Sequence, residues 1–143
     1  MGTPYEIDVI AWANEQAALL RAGQFSAIDI ENIAEEILDV GKSEQRELEN
    51  RMAVLLAHLL KWNFQPMRRS KSWTNTINIQ RKLIKRRVHK MPSLKASLSD
   101  AEWVQDAWDN AVSLAINETG IDSFPEVCLW SIEDILSNDW LPG

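Results

Sequence analysis

The residues best placed for chemistry in this chain are basic and lie close together. Residues 61–95 hold 11 of the 15 Lys and Arg residues and no Asp or Glu. Some of them directly precede a helix start that Ser70 or Ser72 can cap, where free N–H groups and the positive end of the helix dipole favour an anion. The candidate anion- or partner-binding residues are Arg68, Arg69, Lys71, Lys82, Lys85 and Arg86. They predict a basic surface for an acidic partner or a nucleic acid.

The two flanking segments are acidic, which leaves a second interpretation open. The net charge is −7 for residues 1–60, +11 for residues 61–95 and −10 for residues 96–143, within a total of −6. The acidic segments can therefore neutralise the basic helix inside the same fold. The pI of about 4.9 also lies far below the value of about 9 expected for a dedicated nucleic-acid-binding domain. External anion binding and internal charge pairing both stay open.

A second candidate site combines two carboxylates, a histidine and an arginine. Its members, from three helices predicted to be neighbours, are Glu35, Glu36, His58 and Arg81. Carboxylates with a histidine inside a helical bundle are typical of metal-assisted enzymes. The chain has only two His and no Glu-x-x-His motif, so we predict no metal site and no cofactor. The alternative is that His58 is a core histidine bound by a carboxylate or a backbone carbonyl, while Arg81 pairs with one of the glutamates.

Cys128, the single cysteine, is a candidate catalytic nucleophile. It would need His58 or His89 nearby to take its proton, and nothing in the neighbouring sequence indicates such a pair. A free Cys usually behaves as a small buried hydrophobe, and residues 124–128 fit a loop that folds Cys128 onto the core. Phosphate loops, dinucleotide glycine motifs, zinc pairs and serine elbows are absent from the sequence. We therefore assign no catalytic residue and leave the enzyme class open.

The acidic C-terminal segment carries two aromatic residues that suit an interface. Trp130 and Trp140 can anchor a partner, including a second copy of the chain, because aromatic anchors within polar rims are typical of interfaces. The alternative is that this tail folds back onto helices of its own chain. A homo-oligomer is one of the partner classes that the sequence leaves open.

Helices must position these candidates. Apolar residues recur at spacings of three and four along most of the chain, which predicts helices, and no alternating strand pattern occurs. The first two stripes are Ile10, Ala13, Ala17 and Leu20, and then Ile30, Ile33, Ile37 and Val40. Thr3-Pro4 predicts a helix start. Gly41 predicts a break or a kink, and Ser43 can cap the next helix. The prediction is an all-α, single-domain bundle of five to six helices with short loops over residues 1–143.

The cysteine content and the hydropathy bear on the cellular compartment. One cysteine excludes an internal disulfide, which fits a reducing compartment. The N-terminus has no basic segment followed by an apolar run, so we expect no signal peptide. The longest apolar run, residues 52–60, is far too short to cross a bilayer. These features predict a cytoplasmic protein without a membrane segment.

Several short stretches resemble one known family. The most specific are residues 58–62 (His-Leu-Leu-Lys-Trp), Gln65-Pro66, residues 69–73 (Arg-Ser-Lys-Ser-Trp) and Gln80-Arg81. The others are Ala11-Trp12 with Glu15-Gln16, residues 20–23 (Leu-Arg-Ala-Gly), Pro92-Ser93-Leu94, Thr119-Gly120 and Phe124-Pro125-Glu126 with Cys128. Together they resemble the bacterial domain-of-unknown-function family 29 over about residues 5–142, with Leu129 where the family tends to have Pro. The resemblance implies a helical fold without an established activity, so it assigns no catalytic residue.

Overall fold

The regular structure of the chain is helical. The computed structural model describes residues 2–143, and within them there are six α-helices and no strand. The helices are α1 (Val9–Arg21), α2 (Ile30–Phe64), α3 (Lys71–Lys90), α4 (Lys95–Leu98), α5 (Ala101–Thr119) and α6 (Ile132–Leu136). Three short 3-10 turns, Phe25–Ala27, Pro66–Arg68 and Pro92–Leu94, lie in the connections. The predicted all-α class and the predicted number of helices are confirmed.

Helix ends follow the local capping signals where those signals are strong. The Ser70 hydroxyl accepts a hydrogen bond from the Trp73 N–H and caps α3. Gly120 ends α5 with φ of 75°, a conformation that glycine adopts without steric cost. Asp100 caps the start of α5, because its carboxylate accepts a hydrogen bond from the Glu102 N–H at 3.0 Å.

Two predicted helix boundaries are wrong. Thr3-Pro4 does not open α1, which begins at Val9 after Asp8, whose carboxylate accepts from the Ala11 N–H. Gly41 does not break the second helix, because α2 continues for 35 residues from Ile30 to Phe64. A glycine inside a helix costs only about 1 kcal/mol relative to alanine, and the hydrogen-bonded turns on both sides outweigh that cost.

The chain groups into two compact units, residues 1–43 and residues 44–143. In the first unit, side chains of α1 hold the start of α2. The Trp12 indole N–H donates to Asp29 Oδ2 at 2.9 Å, and the Asp29 N–H donates to Gln16 Oε1 at 2.7 Å. The Tyr5 ring packs edge-on against Trp12, with 4.9 Å between centroids. The single-domain organisation stays an expectation.

The second unit contains a continuous apolar core. The C-terminal half of α2 is buried nearly all round, as its apolar run predicts. The main core residues are Leu48, Met52, Leu55, Leu56, Leu59, Leu60, Ile77, Ile84, Ala107, Trp108, Ala111, Ala115 and Ile135. The C-terminal tail docks on this core, because Trp130 packs edge-on against both Trp108 and Trp140. Among residues 2–143, no helix combines the length and apolar character that a membrane crossing requires.

Candidate anion-binding site

The geometry of α3 separates its buried side from its basic side. Ile77, Arg81 and Ile84 face the core of the second unit. Lys71, Lys82, Lys85 and Arg86 are exposed. A helix turns by about 100° per residue, which places these four within an arc of about 100°. We call them the α3 basic face.

A polar hollow lies beside the middle of this face. It has a volume of about 470 Å³ and is lined by Asn78, Lys82, Lys85, Asn138 and Asp139. The Lys85 ammonium donates to Asn138 Oδ1 at 3.0 Å. The hollow is thus lined by two ammonium groups, two amides and one carboxylate. An anion in this hollow can accept several hydrogen bonds.

A second hollow adjoins Lys85 on the C-terminal side. It has a volume of about 360 Å³, and Lys85, His89 and Lys95 supply its polar groups. Its apolar lining comes from Val88, Pro92, Leu98 and Leu136. Lys85 therefore belongs to both hollows and links them along the α3 basic face.

The two arginines before α3 differ in exposure and in their contacts. Arg68 is exposed. Arg69 is half-buried: its Nε donates to the Trp62 carbonyl at 2.9 Å, and its guanidinium lies 4.9 Å from the Trp62 ring centroid. Trp73, a candidate for base stacking, has the Lys61 ammonium 5.3 Å from its ring centroid. Arg69 and Trp73 therefore have intramolecular contacts that the sequence did not indicate.

Within residues 2–143, the acidic residues that form ion pairs do so with basic residues outside the candidate set. The ion pairs placed within residues 2–143 are Arg51 with Glu47, Lys61 with Glu118 and Arg87 with Glu44. None of these pairs uses a candidate anion-binding residue. On α3, the ion pair with an acidic residue is therefore made by Arg87. The α3 basic face stays unpaired in the part of the chain that the structure describes.

Arg81, a candidate pocket residue, binds backbone carbonyls. Its side chain is 1% exposed, its Nε donates to the Ile135 carbonyl at 2.8 Å and its Nη2 donates to the Trp140 carbonyl at 2.6 Å. Burial lowers the pKa of Arg81 from its ordinary value, and the nearby Asp139 opposes that shift. The only sequence signal for this role is a charged residue where an apolar stripe would otherwise continue.

His58 is half-buried and bound within its own helix. Its Nδ1 lies 2.9 Å from the Val54 carbonyl, so the Nδ1–H tautomer donates there. Burial lowers the pKa of His58 from its ordinary value, and the charge of Lys61 contributes, while the hydrogen bond to Val54 opposes the shift. This arrangement matches the alternative of a histidine satisfied by a backbone carbonyl.

The two candidate glutamates differ in environment. Glu35 is exposed, whereas Glu36 is half-buried and accepts a hydrogen bond from the Tyr5 hydroxyl. That bond, with burial and nearby carboxylates, raises the pKa of Tyr5 to about 12. Both glutamates belong to the first unit, and His58 and Arg81 belong to the second. The shared polar pocket stays a prediction.

The remaining chemical candidates have weak geometric support. The Cys128 thiol donates to the Trp130 carbonyl at 3.3 Å, and burial raises the pKa of Cys128, which disfavours the nucleophilic thiolate. Within residues 2–143, no group of three or more His, Cys, Asp or Glu side chains is arranged to hold a metal ion. The exposed basic surface on α3 therefore remains the best-formed candidate site.

Comparison with known proteins identifies a family and gives no assigned activity. No curated protein and no solved structure matches the chain. One family model, described as Domain of unknown function DUF29, matches residues 4–141. The match spans nearly the whole chain, including α1 to α6 and the docked tail, and agrees with the resemblance seen in the short motifs. The chain therefore belongs to the family of domain of unknown function DUF29.

Proposed function

We propose that this protein is a non-enzymatic binding module that uses the α3 basic face to bind a polyanionic partner. The observation that carries the proposal is that Lys71, Lys82, Lys85 and Arg86 are exposed on one side of α3. They have no ion-pair partner within residues 2–143, although the chain contains 21 acidic residues. Arg68 extends the positive charge beyond the N-terminus of α3.

The dimensions of this face favour an extended ligand over a small anion. Lys71 and Arg86 are separated by 15 residues along α3, which corresponds to about 22 Å at 1.5 Å per residue. Several charges spaced over this length suit the backbone of a nucleic acid or an acidic polypeptide. Binding of either would release counterions and fall with rising salt, since that is the behaviour of a polyanion neutralised by Lys and Arg.

The proposal is tested by fluorescence anisotropy with four probes of about 20 residues or nucleotides: single-stranded DNA, duplex DNA, single-stranded RNA and poly-glutamate. Each probe is titrated across a salt series. For duplex DNA, each phosphate contact contributes a slope of about −0.9 in a plot of log affinity against log salt. We expect the variant Lys82→Ala/Lys85→Ala/Arg86→Ala to lose two to three contacts, and so about 2–3 units of slope.

A matched control removes basic charge elsewhere. Lys42 and Arg46 are exposed on α2, and Lys42→Ala/Arg46→Ala changes the net charge in the same direction as the α3 variant does. This control should keep most of the affinity. Absence of binding to all four probes at low salt, or equal loss in both variants, would refute the proposal. The probe with the highest affinity identifies the partner class.

A further inference from the structure

The first unit keeps its apolar side exposed to solvent. The sequence places the stripes of α1 and α2 where a core is expected, yet their large residues remain accessible. Ile10 is 73% exposed, Ile37 is 66% exposed and Val40 is 68% exposed. Within residues 2–43, the only buried side chains are Trp12 and Gln16. A helical segment of about 40 residues with so little buried surface usually needs a further partner.

Part of this apolar side lines one groove. This groove runs between α1 and the first part of α2 and has a volume of about 340 Å³. Its apolar lining is formed by Ala13, Ala17 and Leu20 of α1 and by Ile33, Ile37 and Val40 of α2. The Trp12–Asp29 and Asp29–Gln16 hydrogen bonds hold the two helices together, so the groove is formed before any partner binds.

The charges of this unit lie mainly away from the groove. Residues 1–43 contain eight acidic and two basic residues, but Glu36 is the only charged residue among those lining the groove, and Tyr5 donates to it. On α2, Glu35 and Asp39 fall about 130–170° from the centre of the apolar stripe at 100° per residue. A mainly apolar seam with acidic outer sides is the pattern of one half of a four-helix bundle.

We propose that this groove is a homodimer interface, in which the α1–α2 hairpins of two copies form a four-helix bundle. The seam complements itself, because two mainly apolar faces meet, each with one carboxylate that Tyr5 binds, while the other acidic side chains point to solvent. A basic partner finds little opposite charge on the seam, and the α3 basic face of a second copy offers no apolar stripe, since Ile77 and Ile84 are buried. The same groove of a second copy therefore fits this seam better than a basic partner or the α3 basic face does.

The accessible apolar area of the seam approaches what a specific dimer needs. The accessible large residues that flank or line the seam are Val9, Ile10, Leu20, Ile30, Ile37 and Val40. A full aliphatic side chain contributes roughly 60–120 Å² of apolar surface, so their exposed fractions amount to roughly 200–400 Å² per copy before Ala13, Ala17, Ile33 and the flanking polar atoms are counted. For two copies this gives roughly 400–800 Å², and the remaining seam atoms add to it, against the about 1,000 Å² of a specific interface.

The first test is sedimentation equilibrium of the full chain from about 1 to 100 μM, a range in which a specific dimer of this size dissociates measurably. We expect a mass of twice 16.3 kDa at the upper concentrations. The variant Ile37→Gln/Val40→Gln should weaken the dimer at least tenfold. Both residues are largely exposed in one chain, so the variant should keep the helical circular dichroism of the wild type.

Two controls make the result specific to the groove. Ile79 is 55% exposed on α3, and Ile79→Gln makes the same type of change outside the seam, so its dimer constant should stay within twofold of the wild type. Raising the salt concentration should leave the apolar dimer intact or strengthen it. A monomer throughout the range, an unaffected groove variant, or a dimer that dissociates with salt would overturn the proposal. None of these outcomes depends on anion binding by α3.

Discussion

Replacement of Arg81 by methionine gives the sharpest test of how the second unit is held together. The guanidinium makes two hydrogen bonds to the carbonyls of Ile135 and Trp140, at 2.8 and 2.6 Å. A bond from a charged donor contributes about 1.5–3 kcal/mol, so Arg81→Met removes about 3–6 kcal/mol of favourable interaction. The variant no longer has to desolvate a charge, which offsets part of this loss. We expect a net destabilisation of about 3 kcal/mol.

Urea unfolding followed by circular dichroism measures this change. With an m-value of about 2 kcal/mol/M, a loss of 3 kcal/mol lowers the unfolding midpoint by about 1.5 M. The matched control is Lys82→Met, which makes a similar replacement one residue later on the exposed side of α3 and should shift stability by no more than about 0.5 kcal/mol. Equal midpoints for the two variants would refute a structural role for Arg81 and favour its predicted role in a polar pocket.

Three further predictions concern helix ends, helix interiors and pH. Ser70→Ala should destabilise the protein by about 1 kcal/mol through loss of the α3 cap; Ser72→Ala, measured in the same urea titration, should be nearly neutral. Gly41→Ala should stabilise α2 by roughly 0.5–1 kcal/mol, because no atom lies within 4 Å of the added methyl group. Gly120→Ala should instead destabilise the protein, because the φ of Gly120 is +75°. Hydrogen bonds from Asn32 and Trp12 lower the pKa of Asp29 from its ordinary value of 3.8. The contribution of the Asp29 carboxylate to stability is therefore complete above pH 3.8 and is lost as the pH falls through the lower pKa of the folded state. In thermal unfolding measured across this acid range, Asp29→Asn should make stability less dependent on pH.

Elements with strong local signals could be predicted from the sequence. The bounds of α3 follow from the Ser70 cap and from Pro92, which cannot continue a helix. The left-handed end of α5 follows from Gly120. The boundary expected at Gly41 is wrong, because a helix-breaking propensity of about 1 kcal/mol is small beside the combined contribution of the surrounding turns.

Contacts between distant segments could not be predicted in the same way. Arg81 binds carbonyls that lie 54 and 59 residues later in the chain, and no periodicity in the sequence encodes that pairing. Periodicity also identified the apolar stripes of α1 and α2 without identifying what covers them. The stripes that remained exposed, such as the one containing Ile37, became the basis for the proposed dimer interface.

The arrangement of charge on α3 argues for a ligand more strongly than its net charge does. Lys82 and Arg86 are four residues apart, Lys82 and Lys85 are three apart, and like charges at these spacings destabilise a helix by about 0.2–0.5 kcal/mol per pair. Acidic residues at those positions would relieve the repulsion, and residues 61–95 contain none. Without a ligand, α3 is therefore less stable than a helix in which acidic and basic residues alternate on this face. A bound polyanion would remove this repulsion, and the free energy of its binding would become more favourable by the same amount per pair.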